Sequence, residues 1–435
     1  MGRCLSIDID QLILGRELSL PIHDSKGVLL AGPGTQITAD LKNRLLSRGV
    51  KSVLLDEFDA AKVTLCQIDE ETVFPELENK LNERLEGLIR SGMMSVRNTG
   101  PSVREKVVRH GRTGYNAEQQ AKVAAENEEN AAAVDEVLGD AINGEELDAE
   151  RMDAVAESCI NNLVADVDGM LTAGMAGGDG STTVAEHSLN VSSLGMAIGM
   201  ELGLDDANLR VLGIAGLLSD LGMIQVPRSV REAARSLTDV EFVEIQKHPI
   251  RTANILEHVQ GMPTIVQIIA YQIHERPDGA GYPRGRTKQS IHPFAMILHV
   301  ADAFTAMTST RSYRPALMPY TAMTTLLAEA ANGGVDPNAV RGLLNLVSLF
   351  PIGSFITLSD GSVAKVLRAS PGNYMNPIVG RVQGADGGLL ADDDSSLVDL
   401  STSELQVIQA LPTPGQSQIA ADESRSPDGV SEVLA

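Results

Sequence analysis

The segment LRVLGIAGLL at residues 209–218 constrains the fold of this chain most, because it is apolar on nearly every side of a helix. Such a helix is stable only when other helices surround it. Helical patterns flank it from residue 184 to residue 350, where Thr238 and Glu241 form a capping box. Four prolines stand where the first turn of a helix accepts them: Pro249, Pro263, Pro293 and Pro337. We therefore predict an all-helical domain over residues 179–350, with residues 209–218 at its centre.

Short apolar runs separated by turn residues predict a small β-rich domain on each side of the helical part of the chain, over residues 1–75 and 351–402. The first includes a short helix that begins near Thr38 and ends at Gly49. The second includes a hairpin with its turn at Asp360-Gly361. The predicted fold class is therefore mainly α with β-rich termini.

Two segments lie outside these three domains. Residues 76–178 have helical spacing and are interpreted as a helical linker region, with a helix break near Asn143-Gly144. Residues 403–435 are rich in Pro, Ser, Gln, Asp and Glu, and we predict a disordered tail there.

The net charge of −23 argues against general binding to DNA or to an anionic membrane, since both require a basic surface. No run approaches the roughly 18 apolar residues of a spanning helix, and the first residues lack the pattern of a signal peptide. Cys4, Cys66 and Cys159 are far apart and suggest neither a disulfide framework nor a zinc knuckle. We expect a cytoplasmic protein in which an anionic ligand needs a local basic pocket.

Histidines and aspartates are distributed through the helical part in a way that can build a metal site. A single buried histidine is more often a hydrogen-bonded core residue than a ligand. Ligands dispersed on facing helices, however, are how a helical bundle forms a metal site in its core. The candidates are His187, Asp220, His248, His274 and Asp302.

Three stretches carry a resemblance to a known family. They are LLSDLG at residues 217–222, HERPDGAGYP at residues 274–283, and VADAF at residues 300–304 with TSTRSYR at residues 308–314. Together they resemble the HD-GYP family of cyclic di-GMP phosphodiesterases over roughly residues 184–348. The resemblance implies an all-helical domain that holds two or three metal ions, often iron or manganese, and a metal-bound hydroxide that attacks a phosphodiester.

The same resemblance assigns the five candidates as metal ligands and reveals departures from the pattern. Ser219 replaces the histidine of the HD pair, Ile273 replaces the first histidine of an HH pair, and Met223 replaces a common lysine. A serine hydroxyl is a poor substitute for imidazole, and isoleucine offers no lone pair. We expect Ser219 and Ile273 to line the metal cleft and the site to be partly degenerate, although the apolar spacing with Val266, Ile269 and Ala270 also favours a core position for Ile273. His299 lies three residues before Asp302 and either supplies a missing imidazole or has a structural role.

The resemblance also implies a ligand-binding loop and two basic residues near the ligand phosphates: Gly281, Tyr282, Pro283, Arg311 and Arg314. Four further residues make this region basic, namely Arg276, Arg284, Arg286 and Lys288, and they form either a phosphate site or a solvated cluster. His292 precedes a helix start, and we expect it to be exposed.

Three functions remain open from the sequence. The first is a degenerate domain that binds cyclic di-GMP, a related dinucleotide or a protein partner without hydrolysis. The second is an active, metal-dependent cyclic di-GMP phosphodiesterase. The third is an HDOD-like interaction module, which has the same helical scaffold without metals; five retained ligand positions and the Gly-Tyr-Pro loop count against it. A homodimer is compatible with each.

Overall fold

The structure is a computed structural model that describes residues 4–9, 12, 18, 20–24, 26–56, 73–92, 94–108, 117–143, 147–175, 183–311, 314–370, 372–390, 397–414 and 418–419. It shows a mainly α protein with small antiparallel sheets near both ends, which confirms the expected fold class. Cys66 and the predicted tail from residue 420 onwards lie outside the described residues.

The N-terminal sheet contains strands β1 (Cys4–Asp8), β2 (Ile22–His23), β3 (Leu29–Ala31) and β4 (Ser52–Asp56). Their order is β1-β4-β2-β3, with antiparallel pairing. Helix α1 (Ala39–Ser47) begins where the Thr38 hydroxyl accepts a hydrogen bond from the backbone N–H of Leu41, and Gly49 follows its end with a φ of 77°. Leu45 of this helix packs on Val53 of the sheet, so this small domain has its own core.

The helices of the central region are α2 (Val73–Arg90), α3 (Ala117–Asn143), α4 (Ala149–Ala165), α5 (Val167–Met175), α6 (Val184–Glu201), α7 (Asp206–Leu218), α8 (Arg228–Arg231), α9 (Asp239–Gln246), α10 (His248–Glu257), α11 (Thr264–Gln272), α12 (Pro293–Thr308), α13 (Pro319–Asn332) and α14 (Pro337–Val347). Short 3-10 turns occupy Val103–Lys106, Leu221–Gln225 and Lys288–Ser290. The helix break at Asn143 and the capping box at Thr238 are found where the sequence predicts them.

The apolar helix α7 lies at the centre of this region and contacts α4, α6 and α11. Its Leu212 and Leu217 are completely buried. Gly216 permits a close approach to α6, because a Cβ atom at this position would lie 2.8 Å from the Cα of Ser192. The expected central position is confirmed, and the end of α7 brings the next residues, including Asp220, into the middle of the helical region.

Part of the segment interpreted as a linker belongs to the same core. Met152 and Cys159 on α4 are buried against the helices that follow. The packed core therefore extends N-terminally past residue 179, where the sequence suggested its start. Helix α2 packs through Leu77 and Leu81 on α10 and α11, which connects the end of the N-terminal domain directly to the helices that carry site residues.

The C-terminal sheet contains β6 (Phe355–Leu358), β7 (Val363–Arg368), β8 (Ile378–Gln383), β9 (Leu397–Asp399) and β10 (Val407–Leu411), in the order β10-β6-β7-β8-β9. The predicted hairpin joins β6 to β7, and Gly361 in its turn has a φ of 85°. The expectation of a disordered tail from residue 403 is wrong for β10, because its backbone pairs with β6 and extends the sheet. Strand β11 (Gln418–Ile419) pairs in parallel with β5 (Ala316–Leu317) of the helical region.

Among the described residues, the segment Asp206–Gln225 has the length and apolar character of a membrane-spanning helix. However, 67% of its most apolar window is buried inside the protein. That burial is typical of a core helix in a soluble protein, which is the position that α7 occupies here.

Candidate metal centre

The five candidate ligands come from five different parts of the helical region. His187 lies in the first turns of α6, and Asp220 follows α7. His248 is the first residue of α10, His274 follows α11, and Asp302 lies in the middle of α12. Helix ends supply three of these positions, so small shifts of the helices would change the site; close packing is therefore needed to hold it.

Thr252 on α10 holds the chain around Asp220 in place. Its hydroxyl donates to the carbonyl oxygen of Ser219 at 3.0 Å and accepts from the backbone N–H of Gly222 at 2.8 Å. Gly222 has no side chain because a Cβ atom here would overlap the carbonyl oxygen of His248. These contacts bring Asp220 against the start of α10. The role of Thr252 was not predictable from the sequence, since its partners are about 30 residues away along the chain.

The structure brings all five side chains together at the floor of one cleft. His187 Nε2 lies 2.9 Å from Asp302 Oδ1 and 3.8 Å from Asp220 Oδ2. Asp220 Oδ1 lies 3.5 Å from His248 Nε2, which is 3.0 Å from His274 Nε2. Asp220 thus lies between two halves of the floor. We call His248 and His274 the histidine half, and His187 and Asp302 the aspartate half.

The protonation states of these groups suit metal binding. Burial lowers the pKa of His274 to about 4, an effect that the neighbouring His248 increases, and burial also lowers the pKa of His248. Burial alone would raise the pKa of Asp302, but the hydrogen bond from His187 and the nearby imidazoles hold it below its usual range. At neutral pH the floor therefore combines neutral imidazole with carboxylate.

The arrangement fits a divalent cation. Oxygen and nitrogen donor atoms of Asp220, His248 and His274 lie within 4.8 Å of one another. His248 Nδ1 lies 2.7 Å from the carbonyl oxygen of Ile245. Because a carbonyl can only accept, Nδ1–H is the donor in this hydrogen bond. The Nε2 atom of His248 therefore keeps a lone pair, which faces the cleft. This is the usual arrangement of a metal-binding histidine. Imidazole and carboxylate together are common ligands of first-row divalent metal ions.

The two substituted positions do not line the cleft, contrary to our expectation. Ser219 is buried at the end of α7, where its hydroxyl donates to the carbonyl oxygen of Gly216 at 2.9 Å. Ile273 is buried in the main hydrophobic core. Neither is among the described residues that line the cavity. Each side chain therefore has its partners elsewhere in the fold. The Ser219 hydroxyl bonds its own helix, and the Ile273 side chain packs in the core.

The loop with Gly281, Tyr282 and Pro283 packs on the histidine half. The Tyr282 ring stacks on His274, with ring centroids 4.8 Å apart and an interplanar angle of 8°. The Tyr282-Pro283 peptide bond is cis. Gly281 is required because a Cβ atom would overlap the backbone of His274 and Arg276. Thus Tyr282 shields one face of a candidate ligand and lines the cavity above it.

A buried carboxylate that the sequence prediction missed shapes this loop. Glu275 is completely buried and accepts hydrogen bonds from the backbone N–H groups of Arg284 and Arg286, at 2.9 and 2.7 Å. Because Glu275 adjoins His274, these bonds tie the end of the loop to the histidine half. The only sequence signal for this role was its place within the HERPDGAGYP stretch.

The cleft opens into a cavity of about 780 Å³ whose wall contains five arginines. Two were expected there, Arg311 and Arg314, and three were not: Arg228, Arg231 and Arg235. Within the described part of the chain, the guanidinium of Arg311 has no ion pair or hydrogen bond. The guanidinium of Arg314 donates to the carbonyl oxygens of Ala306 and Met307 at 2.7 and 3.3 Å, so it caps the end of α12.

The other predicted basic residues have structural partners. Arg276 pairs with Asp278 and Glu329, both within 3 Å. Lys288 pairs with Asp336 at 2.8 Å. Arg284 and Arg286 bond Glu78 and Asn82 on α2, respectively. These pairings favour the alternative that the group is not a phosphate site.

Two further histidines lie on or next to α12. His292 is 3% exposed, so the expectation that it is exposed is wrong. Its Nδ1 caps the helix by accepting from the backbone N–H of Phe294 at 3.2 Å. His299 is also buried and lines the cavity. Its Nδ1–H donates to the carbonyl oxygen of Ile273 at 2.9 Å.

A family model described as an HD domain matches residues 161–339. Cyclic di-GMP phosphodiesterase PA4108 of Pseudomonas aeruginosa is 33% identical over 193 residues, which cover 44% of this chain and 46% of the relative. Cyclic di-GMP phosphodiesterase PdeB of Borreliella burgdorferi is 26% identical, covering 44% and 52%, and 3'3'-cGAMP-specific phosphodiesterase 1 of Vibrio cholerae is 31% identical, covering 35% of each chain.

The match thus spans about half the length of these relatives or less. Among solved structures, Bd1817, an HDG"Y"P protein of Bdellovibrio bacteriovorus, matches with a TM-score of 0.44 and 18% identity, over 78% of this chain and 98% of that one. The family model, the phosphodiesterase relatives and the motifs at Asp220, His274 and Tyr282 agree. The helical region of this chain is therefore an HD domain of the HD-GYP family.

Proposed function

We propose that the cleft binds a cyclic dinucleotide over one divalent metal ion, and that the protein is a receptor in cyclic dinucleotide signalling with little or no hydrolysis. The observation that carries this proposal is the cleft itself. Metal-binding donor atoms that meet within 4.8 Å lie at its floor, and arginines line the cavity above them. Relatives named as phosphodiesterases of cyclic di-GMP and of 3'3'-cGAMP support the class of ligand.

The size and charge of the cavity suit this ligand. A volume of about 780 Å³ lies within the range of about 300–1,000 Å³ that is typical of small-molecule sites. The chain has a net charge of −23, so an anion needs a local cluster of positive charge. Arg311 can face a phosphate, since no described residue neutralises it. Tyr282 beside His274 offers an aromatic surface for a base.

The metal ion would be held by Asp220, His248 and His274. When bound, a divalent cation supplies positive charge for a phosphate oxygen and lowers the pKa of a coordinated water. The contribution of the chain is to keep both imidazoles neutral by burial and to fix their ring orientation. The backbone carbonyl of Ile245 does this for His248, and the Tyr282 ring does it for His274.

Weak hydrolysis follows from the aspartate half. Hydrolysis of a phosphodiester by a two-metal site requires ligands for a second ion, which polarises the opposite side of the reacting group. Here the imidazole expected at position 219 is replaced by a hydroxyl that bonds Gly216, and His187 is hydrogen-bonded to Asp302. A second ion would find few ligand atoms beyond those that already bind the first ion.

An active phosphodiesterase is the second candidate, and one observation favours it. All five side chains that the resemblance assigns as ligands meet at the floor, and their donor atoms form one continuous network. A second ion bound between His187, Asp302 and Asp220 would complete a hydrolytic pair. The two candidates therefore differ in the number of ions bound and in turnover.

The test is a calorimetric titration of the Mn²⁺-loaded protein with cyclic di-GMP and with 3'3'-cGAMP, combined with chromatographic detection of products. The proposal expects saturable binding of at least one of the two, and turnover far below about 1 per second, the low end of typical enzymes. Turnover at or above that rate would establish the enzyme instead. No binding at high micromolar ligand would contradict the receptor and shift the function to a protein partner.

A further inference from the structure

We propose that His299 is a metal ligand in this chain, and that its imidazole takes the place of the one missing at position 273. The inference rests on the metal site proposed above and extends it to a residue outside the family pattern. It would give the histidine half three imidazoles together with the carboxylate of Asp220.

A hydrogen bond of the His299 ring determines which of its nitrogens is free. Its Nδ1–H donates to the carbonyl oxygen of Ile273 at 2.9 Å, so Nε2 has no hydrogen and carries a lone pair. Nε2 is buried and has no hydrogen-bond partner among the described residues. A buried polar atom without a partner destabilises an ordinary core. A bound cation would satisfy it.

His248, which lies in the same cleft, is oriented in the same way as His299. His248 also donates Nδ1–H to a backbone carbonyl, that of Ile245, and its Nε2 faces Asp220. His299 repeats this arrangement in the same cavity, where its ring lies near both His274 and the Asp302 carboxylate. Two histidines that are held in the same way and line one cavity suggest the same role.

His299 is also linked to the position of the missing ligand. The carbonyl that orients His299 belongs to Ile273, the position at which the family has a histidine. The Ile273 side chain packs in the core. The His299 ring can therefore lie next to the Ile273 backbone carbonyl. Burial lowers the pKa of His299, which keeps the ring neutral and able to bind a cation at neutral pH.

The experiment is a titration of the metal-free full-length chain with Mn²⁺, following free Mn²⁺ by electron paramagnetic resonance. His299→Gln keeps an amide that can bond the Ile273 carbonyl but removes the imidazole. We expect it to lower Mn²⁺ affinity at least about tenfold, the smallest effect typical of a lost site residue. His292→Gln is the matched control, because His292 is equally buried at 3% exposure but does not line the cavity. It should bind Mn²⁺ like the wild type.

A rescue variant separates loss of a ligand from general damage. Adding Ile273→His to His299→Gln should restore most of the lost affinity, since it returns an imidazole to the family position. If His299→Gln does not fold, Ile273→His in the otherwise unchanged chain provides the answer: no gain is expected because His299 already supplies that ligand, and a tenfold gain would overturn the inference.

The remaining outcomes distinguish this inference from the proposed function. A His299→Gln variant that folds and binds Mn²⁺ as tightly as the wild type overturns the role of His299 and leaves the site at Asp220, His248 and His274 intact. A wild type that binds no Mn²⁺ overturns the metal site and, with it, this inference.

Discussion

The two halves of the cleft floor differ in what lies beside Ile273 and Ser219, the two positions that depart from the pattern of the family that the sequence resembles. In the histidine half, the backbone of Ile273 orients His299, whose Nε2 is buried without a partner among the described residues. In the aspartate half, the Ser219 hydroxyl bonds the carbonyl oxygen of Gly216 instead of facing the cleft. The halves thus differ in that a further imidazole lies beside the substituted position in one, while the substituted side chain bonds its own helix in the other.

The hydrogen bonds of the histidines also differ between the two halves. His187 in the aspartate half donates its Nε2–H to the Asp302 carboxylate at 2.9 Å, while its buried Nδ1 has no partner among the described residues. His248 and His274 in the histidine half have Nε2 atoms 3.0 Å apart, and neither ring is charged at neutral pH. The Nε2–H of His274 therefore donates to the lone pair of His248 Nε2, and a cation that displaces this one proton would be shared by both nitrogens. We therefore expect the single ion in the histidine half.

The largest expected effect comes from the carboxylate between the halves. Asp220→Asn should lower Mn²⁺ affinity by about 100-fold or more, because it removes the anionic ligand of the ion. Asp302→Asn, the same change in the aspartate half, should cost less than about tenfold. Inductively coupled plasma mass spectrometry and Mn²⁺ titration measure both. Equal losses in the two variants would mean that the ion lies between the halves rather than in one of them.

A second change adds the missing imidazole to the aspartate half. Ser219→His should raise bound metal from one ion per chain to two and increase the hydrolysis of cyclic di-GMP at least about tenfold, since two-metal chemistry then becomes available. Ile273→His, the corresponding change in the histidine half, should alter neither quantity. Thermal unfolding of both variants controls for the larger side chain in a packed position. No gain of metal in a folded Ser219→His protein would contradict the assignment of the halves.

The two arginines over the floor are expected to differ as well. Arg311→Ala should weaken cyclic dinucleotide binding by about 1.5–3 kcal/mol, the value of a charge-assisted contact, with thermal stability unchanged. Arg314→Ala should lower thermal stability by about 1–3 kcal/mol, because the carbonyls of Ala306 and Met307 lose their donor. Calorimetry with ligand and thermal unfolding without it separate the roles. The reverse pattern would place the phosphate contact at Arg314.

The smallest effect concerns pH. The folded-state pKa of His274 is about 4, below the value near 6.5 of an unfolded chain, so the unfolded state binds more protons between these values. Stability of the metal-free protein should therefore fall as pH drops from about 6.5 towards 4, by about 1–1.5 kcal/mol for this group at pH 5.5. With Mn²⁺ bound the fall should be steeper, since the cation excludes the proton. A metal-independent slope would argue against His274 as a ligand.

The sequence predicted the parts of this molecule that depend on local patterns. The apolar run at residues 209–218 placed α7, and the capping box at Thr238 placed the start of α9. The motifs also identified the five side chains that meet at the floor, because each has a position in a known order along the chain. The sequence can therefore predict which buried side chains share one site when the family that it resembles is recognised.

Residues whose partners lie far away in the chain were not predictable. Arg284 and Arg286 were candidates for a phosphate site, yet they bond Glu78 and Asn82 on α2, some two hundred residues earlier. His292 was expected at the surface, but it is buried, and its backbone N–H donates to the side chain of Gln272, 20 residues earlier. Sequence spacing alone does not reveal such tertiary partners, which decide whether a charge faces a ligand or another side chain.

The number of metal ions per chain tests the central claim most directly. The protein is loaded with Mn²⁺, freed of excess metal and weighed by native mass spectrometry, with turnover of cyclic di-GMP measured on the same sample. We predict one ion per chain and turnover far below about 1 per second. This is the result expected of a receptor whose histidine half binds an ion and whose aspartate half lacks the ligands for a second one. Two ions per chain with turnover at or above that rate would contradict it.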